Sequence, residues 1–173
     1  MTQEIIDLKK SIIEGRYTDA LLIVEELEGM SKKAILRQIK SFLRILLIHL
    51  IKNQVEQRLT NSWASSIRNS IREIQDLNLK DNQTSYYINL DEWETWLEDE
   101  IEAAIRDASN EVMNGAYSPF QLLEIVDKTL IITHAQQLLD FTYSYSAREL
   151  LALIDDYLTQ LPGGEDWKAG KRL

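Results

Sequence analysis

The chain has 173 residues, 45% of them apolar and 27% charged, with two prolines, six glycines, no cysteine and a formal net charge of −9. A globule of this length can bury roughly two thirds of the surface its unfolded chain exposes, so it needs no covalent staples. The missing cysteines exclude thiol catalysis, disulfides, cysteine zinc sites and iron-sulfur clusters, and they point to a cytoplasmic home; the acidic balance argues against loose adhesion to nucleic acid or anionic lipid.

Met1-Thr2-Gln3-Glu4 puts an acid where an export signal would carry positive charge before an apolar run. From there nearly every segment repeats its apolar residues at helical spacing, and none alternates long enough to require a strand. Ile5, Leu8 and Ile12 form a first stripe closed by Gly15, and Leu21, Leu22, Val24 and Leu27 a second that ends at Gly29. Ser31 reads as the N-cap of a long third helix running to about Gln57. Trp63, Ile67, Ile71 and Ile74 stripe the next helix, and a polar loop through Asn78, Asp81 and Asn82 comes after it. Trp93, Leu97, Ile101, Ala104, Ala108 and Val112 predict a fifth helix that Gly115 ends, with Trp93 and Trp96 in the core. Residues 119–143 divide into two helices hinged at Asp127, and Leu150, Ile154, Tyr157 and Leu161 form the last one. The expected fold is all-α: an antiparallel bundle of about seven to eight helices around a long central helix. It makes one domain over residues 1–161, with a polar C-terminal tail at 162–173 that frays.

Tyr17-Thr18, Tyr117-Ser118 and Tyr145-Ser146 each set an aromatic before a hydroxyl N-cap, with Leu22, Leu122 or Leu150 placed to complete a hydrophobic staple. Ser146 and Glu149 add the pattern of a capping box. These pairs explain the tyrosines as helix starts.

Charge is unevenly spread: Ser31 to Arg72 holds nine Lys and Arg against Glu56 alone. The same block is the most apolar stretch. Phe42 to Ile51 is ten residues long and includes Arg44 and His49, whereas a membrane span needs about 20, so it reads as a core helix and no membrane partner is expected. Ile45 to Ile51 is apolar on all sides except at His49, as in a helix surrounded by protein. Burying each of its Leu or Ile side chains should stabilise the fold by about 1.5–3 kcal/mol, so truncating Leu47 or Leu50 should harm folding before any activity.

Leu47-Ile48-His49-Leu50-Ile51-Lys52, then Arg58, then Ser62-Trp63-Ala64-Ser65-Ser66-Ile67-Arg68-Asn69-Ser70-Ile71 make up a motif. Together with Glu14-Gly15-Arg16-Tyr17, Glu25-Glu26-Leu27-Glu28-Gly29-Met30-Ser31 and Tyr86-Tyr87, this run resembles the domain of unknown function 29 family of bacterial helical proteins over roughly residues 5–115. Asn53-Gln54-Val55-Glu56 stands where many members have Gln-Pro and an aromatic, the mark of a subfamily. The resemblance implies a helical bundle with His49, Leu50, Lys52, Arg58, Ser62 and Trp63 as its structural motif, and it brings no reaction.

His49 reads as a buried imidazole bonded to one polar partner, Trp63 or a tyrosine hydroxyl. Neither it nor His134 sits in a His-Glu-x-x-His or Glu-x-x-His spacing, so no metal and no cofactor are expected. Arg44 and His49 match the Arg-x-x-x-x-His spacing of the metal-independent ribonucleases of the higher-eukaryote-and-prokaryote-nucleotide-binding family. In such an enzyme the arginine would steady phosphate charge and the histidine would move a proton. On a straight helix, however, that spacing sets the two side chains about 140° apart. Asp91, Glu92, Glu94, Glu98, Asp99, Glu100, Glu102 and Asp107 read as a solvated face opposing the basic helices, with exposed pairs worth about 0–1 kcal/mol each. Arg37, Lys40, Arg44, Arg68 and Arg72 are the candidates for a nucleic-acid-binding surface, although Trp63 belongs to the apolar stripe. No nucleophile, base and orienting group come together. The sequence therefore favours a non-catalytic cytoplasmic interaction or regulatory module, antitoxin-like or a dimeric adaptor, with a protein partner or a second copy. The alternative is a helical ribonuclease or RNA-binding protein using Arg44 and His49.

Overall fold

The computed structural model describes residues 2–171. In chain order the helices are α1 (Thr2–Ile13), α2 (Tyr17–Glu56), α3 (Asn61–Asn78), α4 (Trp93–Ala108), α5 (Pro119–Ile125), α6 (Lys128–Ser144), α7 (Ala147–Thr159) and α8 (Gly164–Lys168). Short 3-10 turns at Leu90–Glu92 and Val112–Gly115 flank α4, and one isolated antiparallel bridge joins Leu79 to Tyr86. The chain is thus an all-α bundle with one long helix, as its periodicity predicts. Its contacts divide it into two compact units that part between Gln38 and Ile39.

In the larger unit, Ile39, Leu43, Leu46, Leu47, Leu50 and Ile51 on α2 are sealed from solvent. Buried in the same unit are Trp63, Ile67, Ile71 and Ile74 on α3, Trp93, Leu97, Ile101 and Ile105 on α4, Leu138 and Leu139 on α6, and Leu150, Ile154 and Leu158 on α7. The hydrophobic effect on these stripes, and not helix propensity, is what holds the helices together. The expectation that α2 is enclosed all round needs correcting. Ile45 is 38% exposed, and Ile48 and His49 are half-buried, so one edge of the helix stays at the surface.

The smaller unit pairs α1 with the first part of α2 across the Gly15 turn, where φ is +74°. Its buried or half-buried positions are Glu4, Leu8 and Ser11 on α1 and Ala20, Ile23, Val24, Leu27, Ile35 and Leu36 on α2. Ile5 and Ile12, expected on the inner stripe, are about half exposed. Small Ser11 takes the inward position between them, which lets the helices approach at the cost of apolar cover.

Several helix ends differ from the sequence reading. The break at Gly29 with a new start at Ser31 does not occur, because α2 runs through both. A glycine ends a helix by turning left-handed, and Gly29 does not do so. As an ordinary helical residue it costs only about 1 kcal/mol, while Glu28 and Lys32 stand in the favourable i,i+4 order. Because α2 already begins at Tyr17, Thr18 lies inside its first turn, and Tyr17 and Leu22 are exposed instead of stapled. The other two hydroxyl caps form: Ser118 Oγ accepts from Gln121 N at 3.2 Å and Ser146 Oγ from Glu149 N at 3.3 Å. The capping box is completed at Ser118, where Gln121 Oε1 accepts from Ser118 N.

Instead of running through Val112, α4 stops at Ala108. Ser109 Oγ donates back to the Arg106 carbonyl, and Met113 and Asn114 turn left-handed at φ 50° and 57°. Val112 is still buried, so the period reads its side correctly but not its backbone. The hinge at Asp127 is present, with its carboxylate capping α6 by accepting from Leu130 N at 3.2 Å. The segment after Leu161, expected to fray, instead forms α8. Gly164 there is buried, and Trp167 Nε1 reaches Asn61 Oδ1 at 3.3 Å.

Candidate functional site

The family-like motif converges at the corner where α2 passes into α3. Two cations lie over the Trp63 ring, Lys52 Nζ 4.8 Å and Arg58 Cζ 4.6 Å from its centroid. Each cation also meets a carboxylate: Lys52 Nζ lies 3.4 Å from Glu111 Oε1, and Arg58 Nη2 3.0 Å from Glu56 Oε1. Glu56 also accepts from the Met113 amide at 3.3 Å. Asn53, buried beneath, donates to the carbonyls of Arg58 (3.0 Å) and Pro162 (2.7 Å). Lys52, Glu56, Arg58, Trp63 and Glu111 line, with Asn110, Met113 and Asn114, a shallow hollow of about 970 Å³. Gln57, Met113 and Asn114 beside it adopt positive φ, which costs residues other than glycine roughly 1–3 kcal/mol each. Stacked cations with their own counter-ions fix the corner and leave little net charge to attract a ligand. Leu50 lies in the core, and Ser62 is exposed at the start of α3.

His49 and Arg44 are engaged separately. The His49 Nδ1 atom lies 2.9 Å from the Ile45 carbonyl one turn back. Its partner is therefore its own helix, not Trp63 or a tyrosine, because an imidazole at the edge of α2 reaches the i−4 carbonyl without rearrangement. Burial pushes its pKa below the usual 6.5 and Lys52 pushes the same way, against the Ile45 carbonyl and Glu111. His134, 2.7 Å from the Tyr157 hydroxyl, is also lowered by burial. The unfolded chain therefore takes up these protons at a higher pH than the fold does. Stability should hold above pH 6.5 and fall as pH drops below it. Denaturation midpoints between pH 7.5 and 5.5 would check this, and His49→Gln with His134→Gln should flatten the slope; a midpoint that rises on acidification would contradict it.

Arg44 belongs to a second cluster. Glu100, only 4% exposed, takes Arg44 Nη2 at 2.7 Å on one oxygen and Lys40 Nζ at 3.1 Å on the other, and Asp107 approaches Arg44 Nη1 at 3.9 Å. The acidic side of α4 does oppose the basic part of α2, but Glu100 is not on a solvated face. It is buried between two half-exposed cations, so removing those cations would leave an uncompensated buried charge, a larger loss than breaking a surface pair. Trp93 is fully buried, and Trp96 half-buried.

Arg68 pairs with Asp155 of α7, with Nη2 to Oδ1 at 2.6 Å. Arg72 lines a separate groove of about 660 Å³ together with Glu73, Asp76 and Tyr145. Arg37 belongs to the N-terminal unit. Among the described residues no group of three His, Asp or Glu side chains could hold a metal ion, and no helix is long and apolar enough to cross a membrane.

Sequence reasoning missed the surface of the N-terminal unit. Ile5, Ile6, Ile12 and Ile13 on α1, and Tyr17, Leu21, Leu22 and Met30 on α2, are each about half or more exposed. The signal was legible in Ile5-Ile6 and Ile12-Ile13, where one member of each pair must face away from a two-helix core.

Residues 3–141 of the 173 match the family described as Domain of unknown function DUF29. No curated protein and no solved structure matches the chain.

Proposed function

The chain belongs to the DUF29 family, and we propose that it is a non-catalytic cytoplasmic interaction module, an adaptor whose contact element is the helical pair in residues 2–38. One observation carries this reading: eight large apolar side chains of that unit stand in solvent, and exposed apolar surface concentrated in one small unit marks an interaction site. The titratable groups of the larger unit support it, since Arg44, Lys40, Lys52, Arg58 and Arg68 are each occupied by a carboxylate of the same chain.

A photo-cross-linking residue at Leu21 tests the proposal in the host cell. The expected result is one reproducible adduct, identified by mass spectrometry and missing when the probe replaces Glu98 on α4. The same spread of adducts from both positions would refute the contact element. RNA titrated at two salt concentrations tests the ribonuclease and RNA-binding alternative, because phosphate contacts would weaken steeply with salt.

A further inference from the structure

We propose that the partner is a second copy of the chain, bound antiparallel along residues 22–36 of α2 with the two-fold axis at Gly29. This rests on the interaction reading above and names its partner; of the eight exposed apolar side chains the named contacts use Leu22, and the charges beside it supply the rest. At 100° per residue, Gly29 lies half a turn from Ala20, on the side of α2 opposite the positions that α1 covers. Exposed Leu22, Glu25, Glu26, Lys32 and Lys33 and half-buried Leu36 share that side with it, three, four and seven residues away in each direction. An isologous contact places each residue opposite its mirror position in the copy. About Gly29 this sets Leu22 against Leu36, Glu26 against Lys32, and Glu25 against Lys33, each twice. Among these six residues each apolar one thus meets an apolar one and each acid meets a base, while Glu28 and Met30 face each other at the flank. A parallel pairing would set each charge against its own kind.

Two further observations favour this occupant. The ion pairs within described residues 2–38 use Lys10, Glu14, Arg16 and Asp19, which leaves Glu25, Glu26, Lys32 and Lys33 free to pair across an interface. At the axis, nothing lies within 4 Å of the Cβ position of Gly29, so a second backbone can come close there. This also accounts for a glycine in mid-helix, where alanine would be the better helix former.

Sedimentation velocity of the full-length protein at about 1–100 μM reads the association directly. The wild type should form a dimer in this range. Glu25→Lys with Glu26→Lys, and separately Lys32→Glu with Lys33→Glu, should each weaken it at least tenfold while leaving the helical circular dichroism unchanged. Mixing the two variants should restore a dimer, because one copy then carries four cations and the other four acids on the same face. The absence of native cysteine makes the register testable: Gly29→Cys should oxidise to a disulfide dimer, and Leu22→Cys should cross-link to Leu36→Cys but not to itself. A wild type that stays monomeric at 100 μM, or reversal variants that dimerise as well as it does, would overturn the proposal. If the wild type is monomeric but Leu21 still cross-links to a different host protein, the interaction reading survives and the second copy is refuted; if both fail, both fall.

Discussion

Asn78→Ala is expected to lower the unfolding free energy by about 3–5 kcal/mol, a large share of the stability of a domain this size. Asn78 is 2% exposed, and its amide works in both directions, accepting from Ile88 N at 2.7 Å and donating to Ile88 O at 2.9 Å and to the Tyr143 hydroxyl at 3.1 Å. That hydroxyl in turn donates to the Ile88 carbonyl and accepts from Trp93 Nε1, both at 2.6 Å. The cluster ties the loop after α3 to α4 and α6. Alanine leaves the buried Ile88 amide without a partner, and an orphaned buried donor costs more than a hydrogen bond ordinarily contributes. Burial, the first cause, raises the Tyr143 pKa to about 12, so the hydroxyl keeps its proton and its donor role at any physiological pH. Tyr143→Phe should destabilise by about 2–3 kcal/mol, and the double variant by less than the sum, since the two residues serve one network. Urea denaturation would measure all three. A midpoint for Asn78→Ala within error of the wild type would show that the loop is held by other means.

The second large effect is expected at Gly164→Ala, at about 3 kcal/mol, the upper end of the usual cost of overpacking. A Cβ there would run into the Leu158 carbonyl and come within 2.5 Å of the Thr159 oxygen, and these are backbone atoms with nowhere to go. Its neighbour Gly163 adopts φ +72° so that the chain can pass Arg58, whose Cα would lie 2.6 Å from an added Cβ. The Gly164 variant should therefore shed α8 and raise amide exchange across residues 159–171 before the rest of the bundle loosens. Gly170→Ala is the control: it has the left-handed backbone of Gly163 but nothing within 4 Å. It should cost only the strain of that conformation, about 1–2 kcal/mol. Equal losses at Gly164 and Gly170 would mean that close contact does not set the cost.

Both glycines of the Gly163-Gly164 pair show where the sequence was hard to read. Pro162-Gly163-Gly164 has the composition of a frayed end, and only the close passage of another stretch of backbone reveals a packed corner. The core stripes on α2, α3, α4 and α7 were legible because burial imposes a period on side chains. Helix ends were less so: Gly29 and Ser31 look like a stop and a start, yet nothing local forces the backbone out of the helix. Conversely, Val112 keeps the helical period after the helix has ended at Ala108. At the site, Lys52, Arg58 and Trp63 were legible as a motif, but their stacking depends on the left-handed turn at Gln57. Glu100 was hidden among seven other acids, because burial of one carboxylate is decided by which helix lies opposite.

The family match ends at residue 141, inside α6. The residues beyond that point supply the hydroxyl that closes the Asn78 network, the carbonyl of Pro162 that holds Asn53, and the sealed side chains Leu150, Ile154 and Leu158. The stretch matched to the family is therefore shorter than the stretch that folds. A fragment cut to that limit should yield an insoluble or protease-sensitive product, because the helices it keeps would stand unroofed.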